Sequence, residues 1–318
     1  MACPRIDLIR ERMADLRKLS AEMEREPTLI EVHGQTSGKG AVVARIRAEM
    51  QTTKVLPNVV ICTTHDSLMM LDPIDFVGWG VAIDEQVAGC KSGLPVLAAR
   101  ARMLSGYDIL PRDGSVWGRL VPSAGAVTVH DLLSESRRDN LIDVAKWSRS
   151  PHGVLTTTRC WDDLIGSNRA LRWVSVWDYG QLRHAARVMI AAAGLDTSLT
   201  YLATRRLRPW VTFDQRRVGV ARIASPRVII HYFAGVHRGS TAFWGRNNPE
   251  GRAAIMRIAD YMARQDVGYW SANDDIADLF AGRVAGQQVS PRIEGSNALR
   301  NMTSCMMIYS AKATPADE

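Results

Sequence analysis

The chain has 318 residues, of which 46% are hydrophobic and 23% are charged. This composition is too apolar for a disordered protein, and the length allows two packed cores. The longest apolar runs are short, such as Val59 to Cys62, and none approaches the roughly 18 to 20 residues of a membrane-spanning helix. The first twenty residues mix charged and apolar side chains and lack the apolar core of a secretory signal, so we predict a cytoplasmic protein.

Charge and cysteine content narrow the functional classes. The 40 Lys and Arg exceed the 33 Asp and Glu, giving a formal charge of +7. Such an excess attracts nucleic acid or polyphosphate through counterion release. The five cysteines form no CxxC pair, which argues against a zinc ribbon and against a disulfide framework.

The first elements alternate between helix and strand. Apolar residues at helical spacing predict an amphipathic helix over 6–23, which Pro27 ends. A strand is predicted over 28–32 and a helix over 41–50, with the loop His33-Gly34-Gln35-Thr36-Ser37-Gly38-Lys39-Gly40 between them. A strand, a glycine-containing loop and a helix in this order are the setting of a phosphate-binding loop.

The loop departs from the phosphate-loop pattern at two positions. In GxxxxGK[ST], backbone N–H groups wrap the anion, the Lys reaches the terminal phosphates and the hydroxyl ligates Mg²⁺. That spacing requires a glycine at position 33 and a hydroxyl at position 40, where the chain has His33 and Gly40. Thr36 or Ser37 could partly replace the hydroxyl. By itself the loop fits either a phosphate site or an ordinary glycine-rich turn.

A second motif follows a buried strand. Residues 58–63 are a β-branched run, 65–71 are predicted to be a helix, and the predicted strand 76–83 ends in Asp84-Glu85-Gln86. The carboxyl ends of strands are where open α/β sheets bind ligands. In phosphoryl transfer an Asp here holds the Mg²⁺ shell and a Glu orients or deprotonates the attacking water. The alternative for this pair is a helix cap.

The remaining chain predicts a second α/β domain. Residues 93–150 are rich in turns and predict an irregular insertion. The alternation of strands and helices restarts after Pro226. We predict a first domain over 1–210, a linker over 211–226 and a second domain over 227–318. Because the chain ends directly after a predicted strand, we expect the second domain to be incomplete.

Segments in both halves of the chain carry a family resemblance. HGQTSGKG resembles the first helicase motif, VVICTTHDSL resembles a segment with a Thr-His turn, and VAIDEQ resembles Walker B. VMIAAAGLDTSLTYL resembles the motif that couples hydrolysis to strand movement. Three further segments resemble parts of the second motor domain of helicases: IHYFAGVHRGSTAFW, GYWSAND and SPRIEGSNALRNMTSCMMIYSAK. Together they resemble DEAD-like helicases of superfamily two, of phage or mobile-element type, with a C-terminal truncation.

This resemblance implies an α/β fold of two RecA-like domains with mainly parallel sheets flanked by helices. It also implies an ATP-dependent helicase or translocase that uses ATP and Mg²⁺ in the cleft between the domains and acts on nucleic acid, DNA rather than RNA. Asp84 would hold the metal through water, and Glu85 would activate the attacking water. The implied nucleotide contacts are Gly34, Thr36, Ser37, Gly38, Lys39 and Gly40. The implied nucleic-acid contacts are Thr63, Thr64, His65, Asn297 and Arg300.

An arginine-dense stretch adds a further candidate. Residues 205–217, which include Arg205 and Arg206, are rich in arginine. They predict either a patch that faces nucleic acid or a solvated linker between domains.

Departures from the family pattern keep two alternatives open. The first loop lacks its Ser or Thr, and no QxxxRxxxR motif appears before Glu318; loss of an arginine finger costs about 10³ to 10⁵ in related phosphoryl-transfer enzymes. The first alternative is therefore a helicase-like remnant that binds nucleic acid or nucleotide without turnover. The second is an unrelated α/β protein with chance matches, which a large separation of Lys39 from Asp84 would reveal.

Overall fold

The structure is a computed structural model. It describes residues 1–23, 26–38, 41–93, 104–112, 114–126, 128–134, 141–166, 171–216, 241–244, 248–290, 299 and 301–308. The chain divides into two compact units, one that ends at Phe213 and one that begins at Asp214. Each unit combines helices with a parallel sheet, so the predicted α/β class is confirmed.

The N-terminal unit contains two sheets. Its strands are β1 (Ala2–Cys3), β2 (Thr28–Glu31), β3 (Val59–Thr64), β4 (Gly80–Asp84), β5 (Cys90–Gly93), β6 (Tyr107–Pro111), β7 (Trp117–Pro122), β8 (Val154–Thr157), β9 (Trp173–Val176) and β10 (Arg187–Ala191). Its helices are α1 (Ile6–Glu22), α2 (Gly34–Ser37), α3 (Val42–Thr52), α4 (His65–Met69), α5 (Val129–Ser134), α6 (Leu141–Trp147), α7 (Thr158–Gly166) and α8 (Leu199–Leu207).

The first sheet is parallel, with the spatial order β10-β4-β1-β3-β2. β4 pairs with β10 over its full length, and β2 pairs with β3 in the same way. The central strand β1 is much shorter than its neighbours. Its Ala2 pairs with Thr63 on one side and with Ile83 on the other. All five carboxyl ends therefore meet at one edge of the sheet.

Helices cover both faces of this sheet. Leu8, Ile9 and Met13 of α1 are buried against Cys3 and Cys62. The opposite face is covered by α3 and α4, whose apolar side chains join a core that includes Ile61 and Ile83. The apolar positions of α1 recur on one side of the helix, as the sequence predicts.

The second sheet is antiparallel and lies between β4 and β10 in the chain. Its order is β5-β9-β8-β7-β6. The prediction that 93–150 is irregular was therefore wrong for 107–122, which forms a hairpin. The strand pattern is hidden because both hairpin strands end in proline and the connection turns at Gly114, with φ +66°. The strands pair because side chains far apart in the sequence are buried together: Tyr107, Leu120 and Val154 all lie in the same core.

The C-terminal unit has its own parallel sheet, with the order β12-β11-β13. Its described elements are α9 (Thr241–Trp244), α10 (Pro249–Met262), β11 (Tyr269–Ala272), α11 (Asp274–Ala277), β12 (Gln287–Gln288) and β13 (Cys305–Ile308). The Asn248 side chain caps α10 by accepting the Gly251 N–H at 3.1 Å. Ile255, Ala259 and Phe280 form the centre of the core.

Most predicted elements are present with shifted ends. The predicted helix over 41–50 is observed as α3, and the predicted strand over 76–83 begins only at Gly80, because Pro73–Phe76 forms a 3-10 helix. A further 3-10 helix covers Tyr179–Leu182. The residues directly after Pro226, where the alternation is predicted to restart, lie outside the described residues. Within the described ranges, no helix has the length and apolarity needed to cross a membrane.

Candidate functional site

Polar side chains gather where the parallel strands end. This is the place where open α/β sheets form a ligand-binding crevice. We call the following residues the carboxyl-edge cluster: Arg10, Arg12, Glu31, His33, Thr64, His65, Asp84, Glu85 and Gln86. They come from α1 and from the segments at the ends of β2, β3 and β4.

Asp84 is bound by an arginine. Arg12 Nε lies 2.7 Å from Asp84 Oδ2, and the two side chains are 22% and 17% exposed. Arg12 also contacts Asp15 at 3.0 Å, on the next turn of α1. The carboxylate that was predicted to hold a metal through water therefore carries a charge-assisted hydrogen bond to a guanidinium. Its metal role stays a prediction.

His65 connects the end of β3 to the end of β4. Its Nε2 lies 2.9 Å from the main-chain oxygen of Asp84, and the side chain is buried. Burial lowers the pKa of the His65 imidazole, so the neutral ring donates its Nε2–H to this carbonyl. This hydrogen bond fixes the Thr-His turn against the acidic segment.

The other two residues of that turn differ in exposure. Thr64 is half-buried, and its Oγ1 accepts the Ser67 N–H at 3.3 Å, which caps α4. Thr63 is buried, and its hydroxyl has no hydrogen-bond partner among the described residues. Of the three predicted nucleic-acid contacts in this turn, only Thr64 is placed to meet a ligand from solvent. The three roles stay predictions.

Glu85 and Gln86 hold the loop that follows β10. The Glu85 N–H donates to the Ala191 oxygen at 2.8 Å, and Gln86 Nε2 donates to the Ala193 oxygen. Glu85 has φ +68°, a left-handed conformation that costs a non-glycine residue about 1 to 2 kcal/mol. The VAIDEQ segment and the AAAG segment, distant in sequence, are therefore direct neighbours.

The loop after β2 is a single helical turn. The N–H groups of Thr36 and Ser37 both donate to the His33 oxygen at 3.0 Å, and the Gln35 N–H donates to His33 Nδ1 at 3.2 Å. The Thr36 hydroxyl accepts the His33 N–H at 3.0 Å. A phosphate loop instead points successive N–H groups at the anion. The N–H groups of residues 35–37 are thus engaged within the turn.

An acidic group lies beside this turn. Glu31 Oε1 is 2.5 Å from His33 Nε2 and 3.3 Å from Arg10 Nε. The hydrogen bond from His33 lowers the pKa of the Glu31 carboxyl, so Glu31 is ionised at neutral pH. A carboxylate repels phosphate at short range. The described part of this loop, which includes Gly34 and Gly38, therefore does not form a cradle that fits ATP; Lys39 and Gly40 lie outside the described residues.

The sheet order separates the loop from the acidic pair. Strands β3 and β1 lie between β2 and β4. With about 4.8 Å between neighbouring strands, β2 and β4 are roughly 14 Å apart. The predicted nucleotide contacts Gly34, Thr36, Ser37 and Gly38 are thus not brought together with Asp84 and Glu85. Within the described residues, no group of three or more His, Cys, Asp or Glu side chains is arranged to hold a metal ion.

Arg205 and Arg206 are exposed near the end of α8. The helix is anchored by Thr200, whose hydroxyl donates to the Val87 oxygen at 2.6 Å and accepts the Gly89 N–H at 2.9 Å. No ion pair among the described side chains involves either arginine. The predicted contacts Asn297 and Arg300 lie outside the described residues.

Two parts of the site were not predicted. Arg12, on the predicted amphipathic helix, reaches Asp84 across 72 positions of the sequence. The buried His33 was treated as a loop residue, although it organises the turn after β2. No local pattern carries the Arg12 signal, because it depends on which strands become neighbours. The His33 turn is a local capping box whose partners, Gln35 and Thr36, lie within three residues.

No protein-family model, curated protein or solved structure matches the chain. The residues and their geometry therefore carry the functional assignment.

Proposed function

We propose that the chain is a helicase-type protein that acts on nucleic acid, with a RecA-like domain as its N-terminal unit. One observation carries this proposal: three segments that resemble helicase motifs become direct neighbours at one sheet edge. His65 of the Thr-His segment binds the Asp84 carbonyl. Gln86 binds the Ala193 carbonyl in the loop after β10. This convergence supports the proposal, but any parallel sheet brings its strand ends to one edge. The separation of the loop after β2 from Asp84 favours the alternative of an unrelated α/β protein.

The proposed nucleic-acid face is the carboxyl edge around Thr64. A single strand, DNA in first place, would run there with its backbone toward the half-buried Thr64 hydroxyl. The overall charge of +7 favours such a polyanion. Arg10, whose side chain is 60% exposed, lies at the same edge and is paired with Glu31. Arg205 and Arg206 are exposed cations on α8.

Nucleotide-driven movement is the activity that the family resemblance adds to this proposal. Asp84 and Glu85 are its acidic pair, and their contact with the loop after β10 supports that role. The N–H groups of residues 35–37 are engaged within the turn and do not offer phosphate contacts. Hydrolysis therefore rests on the family resemblance, which assigns the phosphate contact to Lys39 and the attacking water to Glu85.

A second candidate is a helicase-like module that binds nucleic acid without turnover. The ion pair between Arg12 and Asp84 favours it, because a guanidinium already occupies the carboxylate that a metal shell would need. This candidate shares the nucleic-acid face and differs only in lacking hydrolysis.

ATP hydrolysis with and without single-stranded DNA separates these functions. A motor would show DNA-stimulated hydrolysis that Glu85→Gln and Lys39→Ala each abolish. Asp214→Asn is the control, since Asp214 is exposed and, in the part of the chain that the structure describes, forms its ion pair with Arg216. DNA binding with no hydrolysis would select the second candidate. A protein that neither binds single-stranded DNA nor hydrolyses ATP would contradict the proposal.

A further inference from the structure

A cavity of about 380 Å³ lies at the C-terminal end of α8. This volume is within the range of small-ligand pockets, about 300 to 1,000 Å³. The helix and the segment that follows it supply the described lining, which consists of Arg205, Pro209, Val211, Thr212 and Phe213. These residues all belong to the N-terminal unit. We call this cavity the α8 pocket.

Phe213 is the aromatic wall of the α8 pocket. Its side chain is half-buried, and its ring contacts two tyrosines. The ring centroid lies 4.7 Å from that of Tyr201, at an angle of 51°, and 5.9 Å from that of Tyr179, at 80°. Tilted and edge-to-face contacts of this kind are favourable arrangements of aromatic rings. The ring of Phe213 is therefore held in position while it lines the cavity.

The segment between α8 and Phe213 is anchored where it leaves the helix. Arg208 Nε lies 3.3 Å from Asp178 Oδ1, and the Asp178 side chain is only 2% exposed. The Arg208 N–H donates to the Thr204 oxygen at 2.8 Å, and the Val211 N–H donates to the Arg208 oxygen at 2.9 Å. The pocket is thus formed before a ligand binds, which lowers the entropy cost of binding.

Arg205 supplies the charge of the α8 pocket. Its side chain is exposed, and none of the described lining residues is acidic. A guanidinium carries five N–H donors and binds phosphate through two of them at once. The pocket therefore combines an aromatic ring with a group that binds anions. A nucleotide has the matching chemistry, a base that stacks on the ring and a phosphate that binds the guanidinium.

Helix α8 connects this pocket to the proposed nucleic-acid face. Gln86 of the carboxyl-edge cluster donates to the Ala193 oxygen in the loop before α8. The Thr200 hydroxyl, in the first turn of α8, donates to the Val87 oxygen at 2.6 Å. Arg205 follows about 7.5 Å further along the helix. The pocket and the carboxyl edge are thus joined within one unit.

We propose that the α8 pocket binds one nucleotide of a single strand, with the base stacked on Phe213 and the phosphate bound by Arg205. This inference rests on the proposed function, because it locates a further contact for the same ligand. Every base has a π-face, so the pocket accepts any base and adds affinity without reading sequence. The contact with Arg205 is electrostatic and weakens with salt.

Fluorescence anisotropy with two labelled oligomers of equal length tests the base contact. One oligomer is oligothymidylate, and the other is its abasic counterpart, which keeps the phosphates and lacks the bases. Phe213→Leu should bind oligothymidylate at least about fivefold more weakly than the parent protein does, with unchanged affinity for the abasic oligomer. Phe213→Tyr keeps an aromatic ring and should keep the parent's affinity for both. Thermal unfolding checks that both variants fold.

Arg205→Gln tests the phosphate contact. The slope of log affinity against log salt concentration should become shallower by about 0.7, the value for one phosphate contact on a single strand. Arg112→Gln is the matched control, because Arg112 is exposed at the turn of the hairpin of β6 and β7; it should keep the parent's slope. Phe213→Leu should also keep that slope, because a base contact releases no counterions.

Some results would overturn this inference and leave the proposed function standing. One is a Phe213→Leu variant that binds oligothymidylate as tightly as the parent, and another is a Phe213→Tyr variant that loses as much affinity as Phe213→Leu. Equal salt slopes for Arg205→Gln and Arg112→Gln would remove the phosphate contact.

Two further results separate the possible ligands. Displacement of oligothymidylate by thymidine monophosphate at the same nucleotide concentration would overturn the inference in favour of a site for free nucleotides. A parent protein that binds no single strand, even at low salt, would contradict the proposed function and this inference together.

Discussion

Arg12 and Asp84 form an ion pair that ties α1 to the carboxyl end of β4, with 2.7 Å between Arg12 Nε and Asp84 Oδ2. Both side chains are largely shielded from solvent, at 22% and 17% exposure. Salt screens such a pair less than it screens a surface pair. The contact fixes the acidic segment before any ligand arrives, and its strength can be measured.

A double-mutant cycle on Arg12→Ala and Asp84→Ala should give a coupling free energy of about 1.5 to 3 kcal/mol, the range for hydrogen bonds to charged groups. The measurement is urea unfolding of the two single variants and the double variant. The control cycle uses Asp214 and Arg216, which are 80% and 82% exposed and should couple by less than about 1 kcal/mol. Equal coupling in the two cycles would contradict the structural role of Arg12.

His65→Leu should destabilise the N-terminal unit by about 1 to 3 kcal/mol, because the Asp84 carbonyl loses its buried donor. His184→Leu is the matched control, since His184 is exposed. The measurement is the free energy of unfolding of both variants in chemical denaturant. If the two variants lose the same stability, the hydrogen bond between His65 and Asp84 does not hold the edge together.

Acid should weaken the fold through His152. Burial lowers the pKa of the His152 imidazole to about 4, whereas an unfolded histidine titrates near 6.5. Between these values the unfolded chain binds a proton that the folded chain rejects, so the free energy of unfolding falls as the pH drops from 6.5 to 4. The full loss is on the order of 3 kcal/mol.

This loss can be assigned by comparing His152→Gln with the parent protein in urea unfolding at pH 7, 5.5 and 4.5. The variant should lose less stability on acidification. Parallel curves would show that another group carries the acid sensitivity, for example His65, whose pKa burial also lowers.

Gly251→Ala should destabilise the C-terminal unit. A Cβ at Gly251 would lie 1.7 Å from the Phe243 oxygen, and relief of such a clash requires a backbone shift that costs about 1 to 3 kcal/mol. Gly34→Ala is the control, because a Cβ there meets nothing within 4 Å. Thermal unfolding should show a lower midpoint for Gly251→Ala alone. A normal midpoint for that variant would contradict the packing of α10 against α9.

Helices and strands with a regular apolar pattern could be predicted from the sequence alone. The apolar spacing of α1 and the β-branched run of β3 are strong signals, and both elements are observed within a few residues of the predicted ends. The placement of Asp84 at a strand end was also predictable, since the buried run before it is apolar. The α/β class follows from these elements.

Other features depend on tertiary pairing and leave no local signal. The strand Ala2–Cys3 has two residues and no periodicity, yet it is central in the sheet. The pattern of residues 33–40 suggested a phosphate loop because composition alone does not reveal that the His33 oxygen accepts the N–H groups of Thr36 and Ser37. Sheet order, which separates β2 from β4, cannot be read from spacing along the chain.

Nucleic-acid binding at the carboxyl edge is the central claim, and Thr64→Asp tests it. Aspartate keeps an acceptor for the N-cap of α4 but adds a negative charge at the proposed face. Asn248→Asp makes the matched change at the N-cap of α10, where Asn248 accepts the Gly251 N–H at 3.1 Å. The measurement is fluorescence anisotropy of a labelled single-stranded oligonucleotide over a range of salt concentrations.

We predict that the parent protein and Asn248→Asp bind the oligonucleotide with the same affinity, weakened by salt, with a dissociation constant at physiological salt of about 10⁻⁶ to 10⁻⁴ M. Thr64→Asp should bind at least about tenfold more weakly while it unfolds at the parent's thermal midpoint. Equal affinity for all three proteins, or no binding by the parent even at low salt, would contradict the account.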